Sequence, residues 1–464
     1  MYTPLTGETP GDAVFAYPKN QYSGAEFIAQ YMIMSYPVNK DPYDSTWCCH
    51  SPSEFAIAAF EDSTQVTIIL KSDTWNGADS GTTRQYMLMS GQCVQIYSSR
   101  RYFYKTYDLT GSFIQANKPV SVYAGNGGTS MPTQQEVGQA WWDEGTLFEA
   151  IPPMSTWGRS FLCRLHAPRL PGYYNIGDHP FDIIRVLAGS NNTLVTINGM
   201  PWTTLASGQY RDTAISDIFA IETSQPVLVA QFDHQKYAGD LTGGPDMAIV
   251  SPLEQRTNDL RFFSSHDFED FADTAERYND HYMVISGDQS IRNTITFDGA
   301  PLPDTGFVNI ATILNGENLV IGSYAIDSGF HHISTSSPKG LTLLVYGGGD
   351  GFGYAYGIGS LTVPKSDLSS SIAPSNSLSL QPPYPNPTDG NSVIVTIGGG
   401  DVQSVRGVTT LTMFDVLGRE VYHENIPAGI SQVELPIRNL SEGIYYIQLA
   451  TSTGSLTQKF VKSK

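Results

Sequence analysis

The feature that most constrains this chain is a pattern written three times. Glu54–Leu70 (EFAIAAFEDSTQVTIIL), Phe181–Asn198 (FDIIRVLAGSNNTLVTIN) and His281–Phe297 (HYMVISGDQSIRNTITF) share one design. Each is an apolar strand-like run, a short polar turn and a second alternating run, which is a β-hairpin signature. The second runs contain Val66-Thr67-Ile68, Val195-Thr196-Ile197 and Thr294-Ile295-Thr296. A second shared segment follows each: Phe113–Asn126, Ile218–Phe232 and His332–Gly347. Each places a Pro or Lys-Gly turn just before a Val/Leu/Tyr-rich strand. The reading is three repeated β units, starting near residues 54, 181 and 281. Their unequal spacing predicts insertions at Gly127–Gly177 and Lys236–Asp280.

Composition agrees with an all-β chain. Charged residues are 15% of the 464, against about 25% in an average domain. Gly (44) and Pro (28) supply frequent turns. Only Ser264–Asn279 has helical character. A Ser/Pro-rich stretch, Pro364–Pro387, marks a boundary. The expected domains are a body over 1–363, a linker over 364–380 and a small Ig-like β-sandwich over 381–464. In the last, short alternating strands begin near Ser392, Thr409, Glu420, Gln432, Gly443 and Thr457. Net charge is −19; residues 365–464 hold 7 basic and 8 acidic side chains, leaving −18 for the rest. That sign repels nucleic acid and anionic membranes. No apolar run is long enough for a transmembrane helix, and no signal peptide is visible.

No set of residues reads as an active site. Asp79-Ser80-Gly81, Asp304-Thr305-Gly306 and Asp327-Ser328-Gly329 resemble aspartic-protease loops but lack matched apolar strands, so turn chemistry explains them. The run Gly347–Gly353 fits no phosphate-binding loop and reads as a loop or bulge. His331 and His332 are adjacent, so on a strand they point to opposite faces and do not share a metal. No metal or cofactor is expected. Asp233-His234 and His266-Asp267 are the pairs that could contribute ligands to one. The acidic run Asp267, Glu269, Asp270, Asp273 and Glu276 is the candidate for a structural Ca²⁺, although no EF-hand pattern is present. Four cysteines, Cys48, Cys49, Cys93 and Cys163, admit two readings. Either Cys48 and Cys49 each pair with Cys93 or Cys163, or all four are buried thiols. Recognition usually sits on loops carried by a rigid sheet. The expected binding surface is therefore the two insertions: Trp141, Trp142, Asp143 and Glu144 in the first, Tyr237, Asp267, Glu269, Asp270 and Asp273 in the second. Aromatic and acidic groups together suit a cationic protein patch or a glycan.

Two resemblances add to this. Tyr384-Pro385-Asn386-Pro387, Leu411–Val421 (LTMFDVLGREV), Leu440–Ile447 (LSEGIYYI) and Lys459-Phe460-Val461-Lys462 resemble, in order and spacing, the type A C-terminal sorting domain of the type IX (Por) secretion system of Bacteroidetes and relatives. The motif residues carried over are Pro385, Asn386, Pro387, Asp415, Gly418, Gly443, Lys459 and Lys462. The resemblance implies export behind a signal peptide, recognition of this module by the secretion machinery, and an extracellular or outer-membrane surface location. It implies that the signal peptide is removed from this sequence, and an oxidising exterior favours the disulfide reading. Residues 25–363 resemble the N-terminal domain of IgGFc-binding proteins, through Ala59–Ile68 (AFEDSTQVTI), Lys118–Asn126 (KPVSVYAGN), Ile151–Gly158 (IPPMSTWG), Gln225–Phe232 (QPVLVAQF), Gly244–Met247 (GPDM) and Pro252–Gln255 (PLEQ). The expectation is a secreted or surface-displayed, non-enzymatic binding or adhesion protein. The alternatives are a self-assembling subunit of an extracellular filament or surface layer, and a glycan-active enzyme.

Overall fold

A computed structural model describes residues 29–37, 51–99, 107–129, 131, 145–166, 182–215, 217–233, 244–265, 280–314, 316–349, 352–359, 379–380, 383, 386, 388, 390–398, 409–415, 419–427, 430, 432–451 and 454–463. Among them the secondary structure is strand and turn, with a few single 3-10 turns and no α-helix. The chain divides into two compact units, Met1–Ser366 and Asp367–Lys464.

The first stretch of the larger unit contains β1 (Ala29–Met32), β2 (Ser53–Ala59), β3 (Thr64–Ile69), β4 (Thr83–Leu88), β5 (Cys93–Tyr97), β6 (Phe113–Ala116), β7 (Val120–Thr129) and β8 (Gly145–Ala150). They form two antiparallel sheets, β1-β6-β3-β4 and β5-β2-β7-β8. Inward residues of both, such as Ile68, Ile114, Phe55 and Val122, share one core. Next come β9 (Gly158–Arg164), β10 (Asp182–Ala188), β11 (Thr193–Ile197), β12 (Met200–Leu205), β13 (Tyr210–Ile215), β14 (Ile218–Asp233) and β15 (Asp246–Ile249). Here β14 is long and serves both pairings: its first half joins β9 and β11, its second half β10 and β15. The third stretch holds β16 (Asp259–Ser264), β17 (Asp280–Asp288), β18 (Ile295–Phe297), β19 (Ala300–Pro301), β20 (Phe307–Asn309), β21 (Leu319–Ile326), β22 (Gly329–Thr335), β23 (Leu341–Gly349) and β24 (Phe352–Ile358). Its sheets are β16-β22-β18-β19 and β20-β21-β17-β23-β24. The pairing order β1-β6-β3-β4 recurs as β9-β14-β11-β12 and β16-β22-β18-β19. The order β5-β2-β7-β8 recurs as β13-β10-β14-β15 and β21-β17-β23-β24.

Three expectations about this body need correction. The paired runs of the three repeated segments are not hairpins: β2 pairs with β5 and β7 while β3 pairs with β4 and β6, and β10–β11 and β17–β18 likewise pair with other strands and not with each other, because the short turn carries the chain from one set of partners to another. The segments 127–177 and 236–280 are not simply insertions into a scaffold. They carry β8 and β9, and β15 and β16, which are integral strands of the sheets. Nor do the described glycines of the Gly347–Gly353 run form a loop or bulge: Gly347, Gly348 and Gly349 end β23 and Gly353 lies in β24, and the two strands pair antiparallel. Glycine serves there because backbone approaches closely. A Cβ on Gly357 would lie 2.0 Å from the Ile249 carbonyl oxygen of β15, and one on Gly353 would lie 2.3 Å from that of Gly244.

Burial explains the differing sequence periods. β2 alternates buried and half-buried residues, because its second face is partly open. β10 is buried at every position and reads as the unbroken run DIIRVLA. One face of β10 packs towards the first stretch through Ile183 and Leu187, the other into the core of Ile184, Val186 and Val229. A strand covered on both faces has no polar side to alternate with.

The smaller unit contains β25 (Ser379–Leu380), β26 (Ser392–Gly398), β27 (Thr409–Asp415), β28 (Glu420–Ile426), β29 (Gln432–Pro436), β30 (Gly443–Thr451) and β31 (Gly454–Lys462), as sheets β25-β26-β29 and β28-β27-β30-β31. Their core includes Val393, Leu411, Ile447 and Phe460. Ser379 and Leu380, expected in the linker, pair with β26.

Candidate functional site

The residues expected to bind, Trp141, Trp142, Asp143, Glu144, Tyr237, Asp267, Glu269, Asp270 and Asp273, lie outside the described residues, as does most of the helical stretch 264–279. So do Cys48 and Cys49. Cys93 is exposed on β5 and Cys163 is buried on β9; neither is in a disulfide among the described residues. Burial, and then the Asp182 carboxylate, push the Cys163 thiol pKa up.

What the structure does bring together is a buried polar centre where the first and second stretches meet. Arg185 points from β10 towards β1–β6 and is 1% exposed. Its Nε and Nη2 donate to the two oxygens of Asp212 at 2.8 and 2.7 Å. Its Nη1 donates to Asp108 Oδ2 at 2.8 Å and to the Ser35 carbonyl at 2.6 Å. The guanidinium lies over the Tyr210 ring at 4.0 Å and the Tyr36 ring at 4.8 Å. Burial opposes the charge, but Asp212 and Asp108 more than offset it and raise the Arg185 pKa further. Tyr210 donates its hydroxyl to Asp108 at 3.0 Å, and that carboxylate, with burial, raises the phenol's pKa. Each of the three guanidinium nitrogens is thus directed at a fixed acceptor.

A second polar group lies at the far end of the same strand. His166 Nδ1 is 3.1 Å from Asp182 Oδ2 and 3.8 Å from Asp233 Oδ2. Burial would lower the imidazole pKa, but Asp182, Asp233 and Asp246 raise it to about 9. The sequence set Asp233 beside its neighbour His234, which lies outside the described residues, as does the pair His266-Asp267. The histidine that meets Asp233 is instead His166, 67 positions upstream. The sequence trace of the group was an Asp at the head of the mainly apolar β10 and another at the end of β14.

The outward face of the β1-β6-β3-β4 sheet is a third feature. Gln30, Gln115, Thr67 and Gln85 form one cross-strand row, and Phe113, Ile69 and Thr83 the next; Gln65 and Met87 continue it. None is charged, in a chain of net charge −19, and Ile69 and Met87 are 43% and 56% exposed. Trp75, in the β3–β4 connection, is 65% exposed.

The three protease-like loops are turns. Asp304 is held by Arg292, with Nη2–Oδ2 at 2.6 Å; Thr82 N–H donates to the Asp79 carbonyl, and Ser264 Oγ to that of Asp327. His331 is buried and bonded to Asp298, whereas His332 points outward to Asp259, as adjacent strand residues must.

In the smaller unit Asn386 clamps the entering chain to β31. Its Oδ1 accepts from Val461 N–H at 2.9 Å and its Nδ2 donates to the Lys459 carbonyl at 3.1 Å. Lys462 Nζ donates to the Ile437 carbonyl. Asp415 accepts from both the backbone N–H and the Nε of Arg419 at 3.0 and 2.7 Å, closing the β27–β28 turn. Gly443 begins β30, and Lys459 lies exposed on β31. Pro385, Pro387 and Gly418 lie outside the described residues.

The architecture defines an all-β protein with a large body followed by a sandwich carrying the sorting motif. Residues 12–347 match the family model described as IgGFc binding protein, and the chain belongs to that family. Residues 383–463 match the secretion system C-terminal sorting domain. That module marks the chain for export to the cell exterior or outer-membrane surface, and for interaction with the type IX machinery. Among solved structures, a biofilm-associated protein BSP domain is 7% identical, over 100% of this chain and 81% of that one, with a TM-score of 0.17. The adhesin domain of Epf from Streptococcus pyogenes is 9% identical over 61% and 92%, at 0.15. A Faecalibacterium prausnitzii β-glucuronidase is 11% identical over 90% and 48%, at 0.17. Scores this low carry no argument. No curated protein matches the chain significantly.

Proposed function

We propose that this is a non-enzymatic binding protein, carried outside the cell by its C-terminal module and engaging another macromolecule through its body. The observation that carries the reading is the joining of an IgGFc-binding family body to a secretion sorting domain in one chain. The uncharged face of β1-β6-β3-β4 supports it. A surface of Gln, Thr, Ile, Met and Phe loses little on desolvation, and a rigid sheet presents it without ordering cost. The family's name makes the immunoglobulin Fc region the first ligand to try. Immobilised body should retain Fc, or a protein or glycan from host or community material. Ile69→Glu with Met87→Glu should weaken that capture while leaving the melting temperature within a few degrees. Capture unaffected by these charges places binding on another surface, with Trp141, Trp142, Tyr237 and Asp267 next to be tested. Failure to retain any macromolecule, with turnover of a polysaccharide, overturns the reading in favour of an enzyme. Large particles in light scattering, absent a ligand, overturn it in favour of self-assembly.

A further inference from the structure

Asp182 opens β10, Asp233 closes β14 and Asp246 opens β15. Asp233 pairs with Asp246, and Ile183 with Phe232, so the three carboxylates stand in a row across neighbouring strands. Residues directly opposite on antiparallel strands share a face, and like charges so placed repel. His166, two residues beyond β9, brings its ring to this row. His166 is 4% exposed, Asp182 0%, Asp233 1% and Asp246 0%.

A purely structural ion-pair network would satisfy its polar atoms, because unmet buried groups carry a desolvation penalty. This cluster does not. Among the described residues, Nε2 of His166 has no hydrogen-bond partner, and Nδ1 faces Asp182 Oδ2 without hydrogen-bond alignment. Oδ1 of Asp182 has none there either. The other oxygen of that carboxylate is held firmly. Oδ2 accepts from the His166 backbone N–H at 3.0 Å and from Gln231 Nε2 at 2.7 Å, and the Gln231 amide is itself anchored on the Arg164 carbonyl. An oriented carboxylate with one oxygen left over, Asp182, and an imidazole steadied by Tyr346 at 4.0 Å, are what a metal site and its outer shell supply.

Donor atoms from His166, Asp182 and Asp233 all lie within 4.8 Å of one another. Tetrahedral coordination with bonds of about 2.0–2.2 Å separates donors by about 3.3–3.6 Å, and the 3.8 Å from His166 Nδ1 to Asp233 Oδ2 lies close to that range. We propose that His166, Asp182 and Asp233, with Asp246 beside them, bind a divalent transition-series cation, Zn²⁺ or Mn²⁺. Imidazole with carboxylate suits these ions, whereas Ca²⁺ takes six to eight oxygen ligands. The ion would tie β10, β14 and β15 to the chain leaving β9, independently of what the body binds.

The test uses the full chain without a polyhistidine tag, stripped by chelator and dialysed against Zn²⁺, Mn²⁺ or Ca²⁺ alone. Elemental analysis should find one Zn²⁺ or Mn²⁺ per chain, with a higher melting temperature than the stripped protein. Asp182→Asn and Asp233→Asn should each weaken binding at least tenfold while keeping the β circular-dichroism signature. Should those variants not fold, Co²⁺ loaded into the unaltered protein should give the visible absorption of nitrogen–oxygen coordination. No bound Zn²⁺ or Mn²⁺, preference for Ca²⁺, unchanged affinity in the folded variants, or a colourless Co²⁺ protein each overturns the proposal.

Discussion

Arg185 is the residue that most resists its neighbourhood. It sits in the middle of IIRVLA, where every other side chain is apolar, and it is tolerated because Asp212, Asp108 and the Ser35 carbonyl take its donors. Breaking a buried pair by removing one partner costs about 3–5 kcal/mol. Arg185→Met should therefore lower the denaturant midpoint of the body sharply. Arg185→Lys should recover only part of the loss, since an ammonium cannot make the forked contact with Asp212. Equal stability of the Arg185→Lys variant and the parent would show that charge alone suffices. Asp288 provides a pH test. It accepts from Lys339 Nζ at 2.7 Å and from Ser290 N–H at 3.0 Å. Burial works against its charge, but these bonds outweigh burial and hold its pKa below the usual carboxylate value. A lowered folded pKa contributes stability above the unfolded value of about 3.9, and that stability is lost as pH falls through the folded pKa. The gap in urea midpoint between the parent and Asp288→Asn should be constant from about pH 5 to 7 and shrink below about pH 4. A gap unchanged at about pH 2.5 would refute the assignment.

At the scale of elements, the sequence located the strands β2 and β3, β10 and β11, and β17 and β18, because alternation and turn residues are local signals, but it paired them wrongly: the two runs of each segment bond to other strands, not to each other. It also missed that each first sheet begins with a strand from upstream: β1, β9 and β16 precede the two runs of their unit and pair with β6, β14 and β22. Pairing between such distant segments leaves no local trace, and so the chain holding β8–β9 and β15–β16 reads as insertion. The glycines of β24 have the same kind of explanation. Gly357 is there because β15 passes against it, so Gly357→Ala should cost about 1–3 kcal/mol by overpacking, read as a lower melting temperature of the body. A melting temperature within a degree of the parent would mean that β24 can shift away from Ile249.

For the whole molecule, the division at residue 366 and the separate core of Val393, Leu411, Ile447 and Phe460 predict two independent unfolding events. A fragment of residues 367–464 should fold alone and melt cooperatively, and its removal should leave the melting of the body unchanged. A body transition that moves on truncation would point to coupling between the two. The charge difference, −18 against −1, predicts that only the body's stability responds strongly to ionic strength.

The sequence by itself determined the all-β class, the places of many strands and turns, and the sorting module. These rest on period-two alternation, turn chemistry and contiguous motifs, all of which act over a few residues. Tertiary structure alone decided which strands complete each sheet, why β10 lacks alternation, and which polar residues meet. His166, Asp182 and Asp233 are separated by 16 and 51 positions, and Ser35 and Arg185 by 150. Only sheet register and the packing of one β layer on the next bring such groups within bonding distance, and neither is written in the local order of residues.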